Sequence, residues 1–184
     1  MEVKKGVVVY KSKYGSTKRY AEWISEELEY DFFSREEVDS KKLNEYDVII
    51  YGGGLYASKV NGIELITKSF NTIKDKKIIL FTCGIADTNN DNNIEHIRES
   101  VHKVMTDEMQ KNIKIFYLRG GIDYSELNFI HSLMMKMLIR NLKKKKYESL
   151  TIEDKEMLDS YGGKVEFEDK NSIEKILSYV RALS

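Results

Sequence analysis

Ser12, Ser16 and Thr17 put three hydroxyls into one six-residue stretch, Ser12-Lys13-Tyr14-Gly15-Ser16-Thr17. Hydroxyl donors around a glycine that lets the backbone turn closely are suited to holding an anion. The residues before them, Val7, Val8, Val9 and Tyr10, form an unalternating β-branched run, the pattern of a parallel strand buried on both faces. From Thr17 onward the spacing turns helical, with Tyr20, Ala21, Ile24 and Leu28 recurring at three- and four-residue steps. The loop therefore joins a strand end to a helix N-terminus, where unpaired N–H groups and the positive end of the helix dipole favour a phosphate. The alternative is a helix cap at Ser16 or Thr17 with no ligand.

The rest of the chain repeats this arrangement. A short second strand is expected at Tyr30 to Phe33, and a polar helical segment at Asp39 to Tyr46. Asp47 to Tyr51 reads as a third strand ending in Gly52-Gly53-Gly54, and Ile63 to Thr72 as a helix. Lys77 to Thr82 is a fourth strand ending at Cys83-Gly84, Ile94 to Met109 a helix, and Ile113 to Leu118 a fifth strand ending at Gly120-Gly121. Strands alternating with helices imply a doubly wound parallel α/β sheet, and in such sheets ligands bind beyond the carboxyl ends of the strands. Four of those ends carry glycine or hydroxyl residues. Cys83, the only cysteine, has no histidine near it in sequence and reads as a small buried residue. His96, His102 and His131 are isolated, without metal-ligand spacing, so no metal site is expected and surface or structural roles are the default.

Other phosphate-binding α/β folds can be tested against these residues. No GKS or GKT follows a glycine-rich loop, and Gly52 to Tyr56 lacks the GxGxxG spacing. A receiver domain needs acids after the first strand, where this chain has Tyr10, Lys11 and Ser12. The stretch SKYGST after VVVY resembles the flavodoxin phosphate loop, which holds the 5′-phosphate of FMN. That resemblance implies one flavodoxin-like domain over residues 1–184, with five parallel strands in the order 2-1-3-4-5. It also implies a cofactor site made of Ser12, Lys13, Tyr14, Gly15, Ser16 and Thr17, then Gly54, Leu55, Tyr56, Ala57 and Ser58, then Cys83 and Gly84, and lastly Gly120 and Gly121. Tyr56 stands where flavodoxins stack an aromatic ring on the flavin. Ala57 stands where their glycine faces flavin N5. The loop from Thr82 to Asp87 would line the other side of the ring.

The last third of the chain is more specific. A glycine pair after the fifth strand, a tyrosine soon after it, a methionine-rich helix at Leu127 to Leu142, a charged stretch, the strand-like VEFED and a final helix from Ser172 to Leu183 resemble the flavodoxin-like protoporphyrinogen oxidases, which pass electrons to quinone. The resemblance implies an FMN-dependent oxidoreductase, its chemistry carried by the cofactor and its partner a quinone or a redox protein; the alternative is a non-enzymatic flavodoxin electron carrier. In those oxidases a long insertion lies near the site, where this chain has only Asp87 to Asn93. Carriers are usually strongly acidic, whereas here 30 basic and 30 acidic residues cancel. That balance also argues against a nucleic-acid binder.

Between Glu126 and Glu148 there is no acid, while Lys136, Arg140 and Lys143 to Lys146 crowd the end of the interval. The wide apolar face of Phe129, Ile130, Leu133, Met134, Met137 and Leu138 is expected to cover the sheet. Its alternative role, with Lys143 to Lys146, is peripheral contact with an anionic membrane surface. With 184 residues, one cysteine, no apolar run of 18 residues and no cleavage signal at the N-terminus, a cytoplasmic protein is expected, with that membrane contact as its one peripheral element.

Overall fold

The computed structural model describes residues 4–56, 59–127 and 129–183, without the side chains of residues 152 and 153. In chain order the elements are β1 (Gly6–Lys11), α1 (Ser16–Leu28), β2 (Asp31–Ser34), α2 (Ser40–Leu43), β3 (Val48–Tyr56), β4 (Lys59–Val60), α3 (Glu64–Ile73), β5 (Lys77–Gly84), α4 (Asp91–His102), α5 (Asp107–Asn112), β6 (Ile113–Arg119), β7 (Ile122–Asp123), α6 (Phe129–Leu142), α7 (Ile152–Ser160), β8 (Lys164–Val165) and α8 (Glu174–Arg181). The main sheet runs β2-β1-β3-β5-β6 with every neighbouring pair parallel, and β4 folds back antiparallel on β3. This is the expected wound sheet and order, the fourth and fifth expected strands being β5 and β6.

Both faces of the sheet are covered, which is why its strands read as unbroken apolar runs. Val7, Val9, Ile49, Tyr51, Ile78 and Leu80 face a core completed by Leu43, Ile66, Phe70, Val101 and Met109 from α2 to α5. Val8, Val48, Ile50, Ile79 and Phe81 face the other way, against Tyr20, Ala21 and Ile24 of α1 and Ile176, Leu177 and Val180 of α8. The helix expected over residues 94–109 is two. Asn90 caps α4 earlier, accepting from the Asn92 N–H, and Thr106 caps α5 by accepting from the Met109 N–H. A threonine that satisfies a fresh helix start competes with continuation of the helix before it.

Two further expectations change. The glycines of residues 52–54 do not end the third strand. They lie buried inside β3, Gly52 opposite Tyr10 and Phe81, and a Cβ on Gly52 would collide with the Phe81 ring. Gly52 lets Phe81 fill the core, Gly53 makes room for Val60, and Gly54 lies against the Tyr56 ring. The methionine-rich helix does not cover the sheet either. No α6 residue belongs to either core cluster, and Phe129, Ile130 and Met137 are 84%, 64% and 59% exposed, with only Ile139 and Leu142 buried.

The last third is laced to the sheet's carboxyl edge by polar contacts. The Tyr20 hydroxyl donates to the Arg119 carbonyl at 2.8 Å and accepts from the Asp169 N–H at 3.0 Å, joining α1, the end of β6 and the segment before α8. Arg119 donates from Nε to the Ile85 carbonyl, ion-pairs with Glu156 of α7 and stacks on Phe167 at 3.7 Å. β7 and β8 pair antiparallel beside them. These contacts hold α6 and α7 beyond the strand ends.

Candidate functional site

A cavity of about 450 Å³ lies at that edge, within the range of roughly 300–1,000 Å³ usual for small-molecule and cofactor sites. At one end are Ser12, Tyr14, Ser16 and Thr17 of the loop between β1 and α1. Gly15 begins α1 with φ 98°, a backbone region that side chains resist; the helix has no side-chain cap and no acid in its first turn. Its first N–H groups and its dipole are thus available to an anion. The Ser12 hydroxyl accepts from the Gly15 N–H at 3.1 Å, and the Ser16 hydroxyl accepts from the Gly121 N–H at 3.0 Å. With each oxygen fixed by a backbone donor, the hydroxyl proton of each serine is left to point at a bound anion. Thr17 is only 3% exposed, and its side chain lies beside the Cys83 thiol, whose ionisation it favours.

The middle of the cavity is walled by Leu55 and Tyr56 from β3, Cys83 to Ala86 from the end of β5, and Gly120 to Ile122 after β6. A Cβ on Gly120 would come within 2.6 Å of the Cys83 sulfur and 2.9 Å of the Ser16 Cβ, so the turn needs glycine to pass between them. Burial pushes the Cys83 thiol up to about 12, the charge of Glu168 adding to it. A thiolate is the nucleophilic form, so Cys83 should be inert. Iodoacetamide at pH 8 is expected to label the folded protein at least about 100-fold more slowly than the urea-unfolded chain, read by mass spectrometry. Comparable rates would show a reactive thiol.

The far wall comes from Leu127, from His131, Met134, Met135 and Leu138 of α6, and from Met157 of α7. The Tyr14 hydroxyl and His131 Nδ1 share a hydrogen bond of 2.8 Å. The His131 ring stacks on Tyr56 at 5.5 Å and 23°, and Tyr14 meets both rings edge-on at 5.8 Å. Burial first, then the Lys13 charge, holds the His131 imidazole below its usual range. Burial pushes the Tyr56 phenol up to about 12, opposed in part by backbone hydrogen bonds at Lys13 and Tyr14.

Ten residues read from the sequence as site residues line this one cavity: Ser12, Tyr14, Ser16, Thr17, Leu55, Tyr56, Cys83, Gly84, Gly120 and Gly121. Lys13 sits beside it with its ammonium over the Tyr14 ring, Gly15 forms the turn, and Gly54 lies within β3 behind Tyr56. Ala57 and Ser58 lie outside the described residues. Not foreseen were Ile122, His131, Met134, Met135, Leu138 and Met157. Each comes from the last third of the chain, and no local spacing marks them.

Residues 7–149 match the family model of the flavodoxin domain. No curated protein matches. Among solved structures, oxidised flavodoxin 1 from Bacillus cereus is similar at 18% identity and a TM-score of 0.40, over 62% of this chain and 85% of that one. A flavodoxin, WrbA-like protein from Agrobacterium tumefaciens is similar at 18% identity and a TM-score of 0.42, over 62% and 83%. The Trp repressor binding protein from Bacillus subtilis reaches 11% identity and a TM-score of 0.42, over 63% and 83%. The residues present fit FMN: an uncapped helix start with two oriented serines for the phosphate, then an apolar and aromatic chamber for the ring.

Proposed function

The chain belongs to the flavodoxin domain family and takes FMN, and from that premise we propose an FMN-dependent oxidoreductase of the flavodoxin-like protoporphyrinogen oxidase type, which delivers electrons to a quinone. One observation carries the reading: Leu127 before α6, Met134, Met135 and Leu138 of α6 and Met157 of α7 wall the cavity. A carrier that serves protein partners needs its cofactor edge at the surface. A chamber walled by flexible, polarisable methionines suits a flat apolar molecule that enters beside the ring.

When bound, FMN supplies the electron chemistry. Ser12, Ser16 and the first turn of α1 hold its phosphate. Leu55 and Tyr56 would line its ring, and Arg119, donating to the Ile85 carbonyl, fixes the loop after β5 that would line it too. The α6 and α7 side chains exclude water from the space between ring and acceptor.

The test is anaerobic stopped-flow mixing of the reduced protein with a short-chain quinone. Reoxidation is expected at least about tenfold faster than in air-saturated buffer. A quinone no faster than air, together with rapid transfer to a one-electron protein acceptor, would replace this reading with the electron carrier. Porphyrinogen is the candidate electron source, tested by whether it bleaches the flavin absorbance without oxygen.

A further inference from the structure

The folded chain brings His131 across 117 residues to the Tyr14 hydroxyl and lays its ring on Tyr56, in the cavity wall where the phosphate loop meets α6. Nothing in the binding of FMN phosphate or the packing of α6 calls for an imidazole there. The neighbouring α6 positions in the wall are Met134, Met135 and Leu138, and an apolar residue would seal the chamber equally well.

Among the described residues four titratable side chains line the cavity: Tyr14, Tyr56, Cys83 and His131. Only the imidazole has an ordinary ionisation between pH 5 and 8. The Tyr56 phenol and the Cys83 thiol, each pushed up to about 12, stay neutral through that range. Burial first, and then the charge of Lys13 in the phosphate loop, favour the neutral ring near pH 7. Among the described side chains of α6 and α7, none that lines the cavity is charged. A neutral imidazole can accept the Tyr14 hydroxyl at Nδ1, and it has room for one proton.

We propose that His131 is the redox-linked proton site of this protein: when the bound cofactor takes up two electrons and one proton, the imidazole takes a second proton from solvent. The balance is two electrons and two protons per reduction, with any two-electron reductant as the source. Reduction with a single proton leaves one added negative charge in a chamber of low polarity, and an opposite charge beside it favours the protonated imidazole. His131 is thereby loaded with a proton whenever the cofactor is loaded with electrons. An acceptor that must leave with both, as a quinone does, then finds both in one chamber. The inference rests on FMN filling the cavity and not on the identity of the acceptor.

The test is the midpoint potential of the FMN-loaded protein against pH, by equilibration with redox dyes between pH 6.5 and 8.5. For a two-electron couple each additional proton adds a tenfold dependence per pH unit, about 30 mV. Wild type is expected to be steeper than His131→Phe, by up to that amount in the pH interval between the imidazole's ionisation in the oxidised protein and its ionisation in the reduced one, and no steeper above it, a difference that cancels protons taken by the cofactor itself. In parallel, the His131 imidazole titrated by NMR in wild type should ionise at least about one pH unit higher in the reduced protein than in the oxidised one. Equal slopes in two yellow proteins, or an imidazole whose ionisation does not move on reduction, would overturn the proposal. A wild-type protein that takes up no FMN would instead overturn the cofactor reading beneath it.

Discussion

Removing either serine of the phosphate loop is expected to separate FMN from riboflavin. Ser12→Ala and Ser16→Ala should each weaken FMN by about 10- to 150-fold, because each deletes a hydrogen bond to a charged group worth about 1.5–3 kcal/mol. Riboflavin has the same ring and no phosphate, so its affinity should change by no more than about threefold. The reason to choose these two hydroxyls is geometric: the Gly15 and Gly121 N–H groups already occupy the oxygens and leave the protons free. Thr17 is different. Its side chain is buried against the Cys83 thiol, so Thr17→Ala should cost folding stability as well as FMN affinity, while Thr17→Ser should restore much of both. Fluorescence titration with each flavin decides the matter. Parallel losses for FMN and riboflavin in the serine variants would mean that the phosphate is held elsewhere.

That prediction could be drafted from six consecutive residues because the phosphate loop is a local structure. Strand end, glycine turn and helix start are neighbours in the chain, and each has its own composition. The sheet was legible for a related reason: strands buried on both faces are continuous runs, and Val7 to Val9, Val48 to Tyr51 and Ile78 to Phe81 contain nothing else. The glycines of β3 show the limit. A glycine that opens a loop and a glycine that clears space for Phe81 look identical until the neighbouring strand is in register. α7 was also within reach, since Thr151 and Asp154 form a capping box, but it follows a lysine run that hid its start. The two-residue strand β7 is too short for any period to register, and of the strand-like VEFED only Val165 pairs, in β8, the residues after it running on without a partner strand. His131 was out of reach altogether. Its partners Tyr14 and Tyr56 are remote in sequence, and an isolated histidine on a methionine-rich helix has no spacing that separates a site residue from a surface one.

The exposed side of α6 carries the second large effect. One face of this helix walls the cavity, and the other presents Phe129, Ile130, Leu133 and Met137 to solvent beside Lys136, Arg140 and Lys143 to Lys146, all exposed. No helix among the described residues is long and apolar enough to cross a membrane, so a contact made by this face would be interfacial. Binding to vesicles containing anionic lipid is therefore expected at low salt, falling as ionic strength rises. Each lysine near such a surface contributes about 1 kcal/mol. Lys145 is already 3.9 Å from Asp154 and should add less, which leaves about 3 kcal/mol, on the order of 100-fold, to be lost when all four lysines become glutamine. Replacing Phe129 and Leu133 by serine should weaken binding by a similar amount with no change in salt dependence, because full burial of each apolar side chain contributes about 1.5–3 kcal/mol. The two variants thus separate charge from insertion. If bound, the helix that walls the cavity is the helix that meets the lipid, so a quinone would pass from the bilayer into the chamber along Met134 and Leu138, which line the cavity and are 46% and 40% exposed. Neutral and anionic vesicles that bind equally, or a lysine variant that binds as tightly as wild type in co-sedimentation, would remove the membrane from this account and leave the acceptor to arrive through water.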